Sequence, residues 1–154
     1  MKAISIFKNF VINALNCLMM TLTLGTLAVV RGGSFPPLSA NIVSYLFSYC
    51  VINLITTFIP GEKAGVAFAK AIGAKEGSLG FGLAVNTIVN TINTLFILPT
   101  MTWFVSCFLN GEPASVILPT FLANVPFAWV ATFIPPMLFG DAAGRWAEKF
   151  VKQA

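Results

Sequence analysis

Phe10-Val-Ile-Asn-Ala-Leu-Asn-Cys-Leu-Met-Met-Thr-Leu-Thr-Leu-Gly-Thr-Leu-Ala-Val-Val30 carries no formal charge, and Arg31-Gly32-Gly33 follows it at once. As a helix this stretch extends about 31 Å at 1.5 Å per residue, roughly one hydrocarbon thickness of a bilayer. Lys2 and Lys8 ahead of it resemble the n-region of a signal peptide. The run is longer than the roughly 7–15 apolar residues such peptides use, and a similar run returns mid-chain, so it reads as a retained span.

Working outward, three further apolar runs appear. The second, 38–59, opens after Pro36-Pro37 and closes at Pro60, as suits a helix start and stop. Gly73-Ala74-Lys75-Glu76-Gly77-Ser78-Leu79-Gly80 is Gly-rich and charged, and within it 75–80 reads as the linker between two halves, 1–74 and 81–154. A third run covers 81–109, Glu112-Pro113 turns the chain, and a fourth covers 114–139. Pro99, Pro119 and Pro126 inside the last two predict kinks.

Composition agrees with this reading. Of 154 residues 57% are hydrophobic and 9% charged, with a mean hydropathy of +0.87. A soluble domain carries about 25% charged residues, so too little polar surface is left to dress a globule in water. The bilayer is the expected solvent, and fifteen Phe and three Trp suit lipid-facing and interfacial positions.

The net charge of +4 does not point to nucleic acid, because the bases flank the apolar runs instead of lining a soluble face. Lys2, Lys8, Lys63, Lys70, Lys75, Arg145, Lys149 and Lys152 fall at the ends that four spans place on one side, and only Arg31 falls on the other. By the positive-inside rule both termini are then cytoplasmic.

The chain also repeats itself. Asn9-x-x-x-Asn13-x-x-Asn16 recurs as Asn86-x-x-x-Asn90-x-x-Asn93, 77 residues on (86 − 9), and the same offset carries Thr23 onto Thr100 and Pro36 onto Pro113. Thr57-Phe58-Ile59-Pro60 matches Thr132-Phe133-Ile134-Pro135, and Gly61-Glu62-x-Ala64-Gly65 matches Gly140-Asp141-x-Ala143-Gly144. An all-α membrane protein follows: four transmembrane helices as two helical hairpins in parallel repeat, related by a pseudo-twofold axis along the membrane normal. A short cytoplasmic interfacial helix is expected after each pair, at Val66–Ala74 and Arg145–Ala154. Phe68 and Ile72, and Trp146 and Phe150, lie four apart there and would lay an apolar edge on the membrane surface.

Each half resembles the small bacterial two-helix membrane domain catalogued as domain-of-unknown-function family 2798. The second half does so more closely, through Ala123-Asn124-Val125-Pro126-Phe127-Ala128-Trp129 and the Phe133-Ile134-Pro135-Pro136 exit towards Arg145. The resemblance implies a bacterial inner-membrane setting and carries no activity with it.

Chemistry has few carriers. The chain has no His, and its five carboxylates, Glu62, Glu76, Glu112, Asp141 and Glu148, all lie away from mid-span, which disfavours proton coupling through carboxylates. HExxH and GxSxG are absent, and Gly80-x-Gly82 lacks the third glycine of a dinucleotide loop. No enzyme, cofactor or metal site is expected, and Cys17, Cys50 and Cys107 read as buried free thiols.

What remains is polar and neutral. Asn9, Asn13, Asn16 and Thr23 fall within roughly an 80° arc of one helix face, as do Asn86, Asn90, Asn93 and Thr100. Tyr45, Tyr49, Asn53 and Thr57 on the second span, and Thr120, Asn124 and Thr132 on the fourth, are spaced to meet them. Two functions fit. The amides line a neutral polar path in a small transporter, channel or permease component, the reading favoured here, for a small molecule or ion that the sequence does not name. Alternatively they glue helices in a structural or accessory subunit, and homo-oligomers or other membrane subunits are possible partners in either case.

The topology is testable. With the native cysteines removed, Ser34→Cys should react with a membrane-impermeant thiol reagent from the periplasmic side; labelling from the cytoplasmic side alone would reverse the orientation.

Overall fold

The computed structural model describes residues 2–153, and the side chains of Lys2 and Lys152, counted above among the bases, lie outside what it describes. Five α-helices follow one another: α1 (Lys2–Val30), α2 (Leu38–Phe58), α3 (Gly61–Ala71), α4 (Leu79–Thr102) and α5 (Ile117–Gln153). Four stretches are long and apolar enough to cross a membrane: Ile6–Val30, Leu38–Phe58, Leu79–Leu109 and Ala114–Phe150. They overlap the four expected spans, the second stopping one residue short at Phe58 and the fourth running on past 139 to Phe150, and they define a multi-pass helical protein.

Local chemistry accounts for the helix ends. The side chain of Ser78 accepts from Phe81 N–H at 3.2 Å and so caps α4 two residues earlier than expected. Behind α1 the chain turns at Gly32, whose φ of +88° favours glycine. Gly32 N–H bonds to Val29 C=O and Gly33 N–H to Ala28 C=O, each at 3.0 Å, which together satisfy two of the last free carbonyls. Pro37 and Pro60 stand at the helix starts that follow.

The prolines do not break the spans. α4 runs through Pro99 and continues as a π-helical segment, Trp103–Leu109, whose wider turn ends with Asn110 N–H on Val105 C=O at 3.1 Å. Within that segment Phe104 stacks on Phe47 of α2 at a centroid separation of 3.8 Å. Pro119 sits in the first turn of α5, where a missing N–H costs nothing. α5 continues unbroken past Pro126, Pro135 and Pro136.

This continuity corrects one expectation. No separate interfacial helix follows the fourth span, because Arg145–Gln153 is the end of α5 itself. The tail buries Ala143 and Ala147, four apart, and leaves Trp146 and Phe150 exposed. Phe150 meets Phe7 of α1 at 5.2 Å between ring centroids, so the tail is held along the start of α1.

A separate short helix does follow the second span, and it starts five residues earlier than expected. α3 folds back on α4, burying Gly65 and Ala69 and exposing Phe68 and Ile72. A Cβ on Gly65 would lie 2.7 Å from the Val85 carbonyl oxygen, so only glycine permits this approach. Lys70 then reaches across the turn to Glu76 at 2.8 Å, and its ammonium holds the Glu76 carboxyl below the usual carboxylate range.

The long helices form a ring in which α2 and α5 each pack against both α1 and α4, with the most extensive packing between α1 and α5. α1 and α4 thus stand diagonally opposite each other. Cys17 and Met20 of α1, Ile52 of α2, Ile97, Leu98 and Met101 of α4, and Ala128 of α5 make the core between them. The thiols differ from expectation: Cys17 is buried, Cys107 is half-buried, and Cys50 faces outward. The reason is the thin burial of α2, of which only Ser48 and Ile52 are fully covered.

The aligned glycines of the two halves should respond oppositely to substitution. Gly65→Val forces α3 off Val85 and should cost about 1–3 kcal/mol, as overpacking does. Nothing lies within 4 Å of a Cβ on Gly144, so Gly144→Val should be tolerated. Thermal melts of both variants in one detergent check the pair.

Candidate functional site

The asparagine stripes turn inward. Asn13, Asn16, Asn86 and Asn90 are between 3% and 9% exposed, the burial expected where an amide prefers a protein partner to hydrocarbon. Asn9 and Asn93 are half-buried.

On the first half the amide finds side chains. Asn13 Nδ2 donates to Asn53 Oδ1 at 3.0 Å and to Thr56 Oγ1 at 3.3 Å. Asn53 is oriented for this by donating its own Nδ2 to Tyr49 C=O at 2.7 Å. The hydroxyl of Thr56 is turned to Ile52 C=O at 2.9 Å, which leaves its lone pairs to Asn13. α1 and α2 are therefore joined by a small network with donors and acceptors matched.

On the second half the amide finds backbone instead. Asn86 Nδ2 donates to Phe133 C=O at 3.0 Å and Asn90 Nδ2 to Trp129 C=O at 2.8 Å. The difference follows from one residue. Asn53 aligns in sequence with Ala128, which is fully buried and offers no polar group; its small side chain lets the Asn90 amide reach the main chain. Trp129 returns the contact, donating Nε1–H to Thr91 Oγ1 at 3.0 Å.

The remaining candidates separate. Asn124 does not meet the stripes: it accepts from Arg31 Nη1 at 2.7 Å, while Arg31 Nη2 reaches Ala123 C=O at 3.2 Å. The guanidinium thus clips the end of α1 to α5. Thr100 donates to its own helix, at Phe96 C=O, and Thr57 does the same at Asn53 C=O, as hydroxyls within helices do. Tyr49 is half-buried and stacks parallel to Tyr45, with centroids 6.2 Å apart. Asn9 and Thr23 make no interhelical hydrogen bond among the described residues.

Four residues belong to the site without having been singled out: Thr56, Thr91, Thr94 and Trp129. Their signal was spacing. Thr56 lies three residues after Asn53, and Thr91 and Thr94 interleave with Asn90 and Asn93, so they share or border the same faces.

Where the four long helices converge lies a cavity of about 10 Å³, lined by Asn16, Asn90, Asn93, Thr94 and Thr132. Met20, Ile52 and Ile97 supply apolar wall. Here α1 and α4, diagonally opposite in the ring, bring their polar groups to one place. Asn16 Oδ1 is buried there without a hydrogen-bond partner. Among the described residues no three Cys, Asp or Glu come together as metal ligands.

The fold and interior define a multi-pass helical bundle with a neutral polar seam. No protein-family model matches the chain, and neither a curated protein nor a solved structure resembles it significantly.

A double-mutant cycle tests the seam. Asn13→Leu alone leaves Asn53 Oδ1 without its donor; adding Asn53→Leu removes the orphan, so the double variant should lose less stability than the two singles sum to. The coupling should be about 0.6 kcal/mol and below about 2, the range found for polar contacts between membrane helices. Strict additivity of the unfolding free energies would mean the bond contributes nothing.

Proposed function

We propose that this chain is a structural or accessory subunit of the bacterial cytoplasmic membrane, with both termini cytoplasmic, built from two tandem two-helix units. The observation that carries this reading is how the interior amides are used. Asn13, Asn86 and Asn90 spend their donors on neighbouring helices, and the space left at the helix convergence is about 10 Å³. Groups bonded to one another hold helices together; a path needs polar groups left free to take up a solute's hydration.

The ring order supports the tandem arrangement, because exchanging α1 with α4 and α2 with α5 returns the same set of neighbours. The exposed edges Phe68–Ile72 and Trp146–Phe150 suit contact with the membrane surface beside Lys63, Lys70, Arg145 and Lys149. A partner subunit, or a second copy, is best accommodated along α2, the least covered span, where Leu46, Cys50 and Leu54 face outward.

Transport is the second reading, and one observation favours it: Asn16 and Asn93, the aligned third members of the two triplets, meet at the same cavity.

Flux measurement separates the two. Purified protein in proteoliposomes should release no solute, from a panel of small neutral and ionic ones, faster than protein-free vesicles. Solute-specific flux that disappears in Asn16→Leu/Asn93→Leu, while the variant still folds, would replace the accessory reading with transport. For the partner, oxidative crosslinking in native membranes should trap a dimer or a heterologous adduct through Cys50, lost in Cys50→Ser.

A further inference from the structure

The diagonal between α1 and α4 poses a problem of hydrogen bonding. Asn16 is 8% exposed and its Oδ1 has no partner, and an unsatisfied buried acceptor costs about 1–3 kcal/mol. Across the cavity, Asn90 commits one of its two amide protons to Trp129 C=O, and its Oδ1 can accept. Thr132 has likewise given its hydroxyl proton to Ala128 C=O at 2.8 Å and offers only lone pairs. Acceptors therefore collect around a space of about 10 Å³.

We infer that a single water molecule is an integral part of this protein, bound between Asn16 of α1 and Asn90, Asn93 and Thr94 of α4. The volume is at the lower limit for one water, and the site supplies more than the two polar partners a buried water needs. A water donates two protons, which suits Asn16 Oδ1 and one of the other acceptors, and it accepts in return from the Thr94 hydroxyl or the Asn93 amide. It joins α1 to α4 across the diagonal of the ring.

A dehydrated monovalent cation is the rival of equal size, and acceptor oxygens suit it too. Electrostatics decides against it. No carboxylate lines the cavity, and an uncompensated charge in a low-dielectric interior is far more costly than a neutral molecule that satisfies the same oxygens. The inference is independent of the accessory reading, since a bridging water is compatible with a transporter as well.

The test is a high-resolution crystal structure of the full chain grown from a lipidic mesophase in rubidium chloride. One density peak within hydrogen-bonding distance of Asn16 Oδ1, with no anomalous rubidium signal, is the expected result. An anomalous peak at the site would make it a cation site, and a cavity without density would make it a dry void; either overturns the inference. Melting temperature gives a second readout, and it should be the same in sodium, potassium and choline chloride at equal ionic strength. A sodium- or potassium-specific rise that vanishes in Asn16→Leu overturns the inference even where rubidium is excluded by size. Should Asn16→Leu fail to fold, Thr94→Val, which removes one hydroxyl at nearly unchanged volume, serves in its place.

Discussion

Inside a bilayer a polar group has only the protein to bond to, and the hydrogen bonds of Asn13, Asn86 and Asn90 are where this bundle meets that constraint. Each bond crosses from one helix to another, so each also sets which helix lies beside which. Asn13 ties α1 to α2; Asn86 and Asn90 tie α4 to α5. The contribution of each bond is small, about 0.6 kcal/mol on average between membrane helices. Their larger effect is selective, because rotating either helix would leave an amide facing hydrocarbon.

Between these bonds the helices associate through small residues. Apolar side chains gain little from leaving lipid for protein, so close packing has to supply the attraction. Gly65 and Ala69 let α3 lie against α4, and Ala143 and Ala147 are buried along the tail of α5. The longest of these contacts, α1 on α5, is closed at one end by Phe7 on Phe150 and at the other by Arg31 on Asn124. That pairing joins the first span to the last, so the two halves of the chain are held as one body.

Polar groups that do not serve this purpose are quieted locally. Thr26, Thr87, Thr100 and Thr102 each return a hydroxyl proton to the carbonyl four residues back. Such a bond costs the helix little and makes threonine acceptable in a span. Asn16 differs: its buried carbonyl oxygen meets no donor within the protein.

The sequence by itself determined the number of spans, their limits to within a few residues except at the end of the fourth, and the inward face of each asparagine stripe, because span length and the 100° step of a helix act along the chain. Asn13, Asn16, Asn86 and Asn90 were legible for that reason. What those amides bond to was decided only by tertiary structure. Asn13 and Asn90 occupy equivalent positions, yet one meets a side chain and the other a backbone carbonyl, since the facing residue is Asn53 in one case and Ala128 in the other. Asn124 was expected among the stripes and instead holds Arg31, which only the α1–α5 register brings within reach. Likewise Trp146 and Phe150 marked an amphipathic tail, but whether that tail lay apart as its own helix depended on the fit of Ala143 and Ala147 into the bundle, and on a helix that nothing interrupts between Pro136 and Gln153.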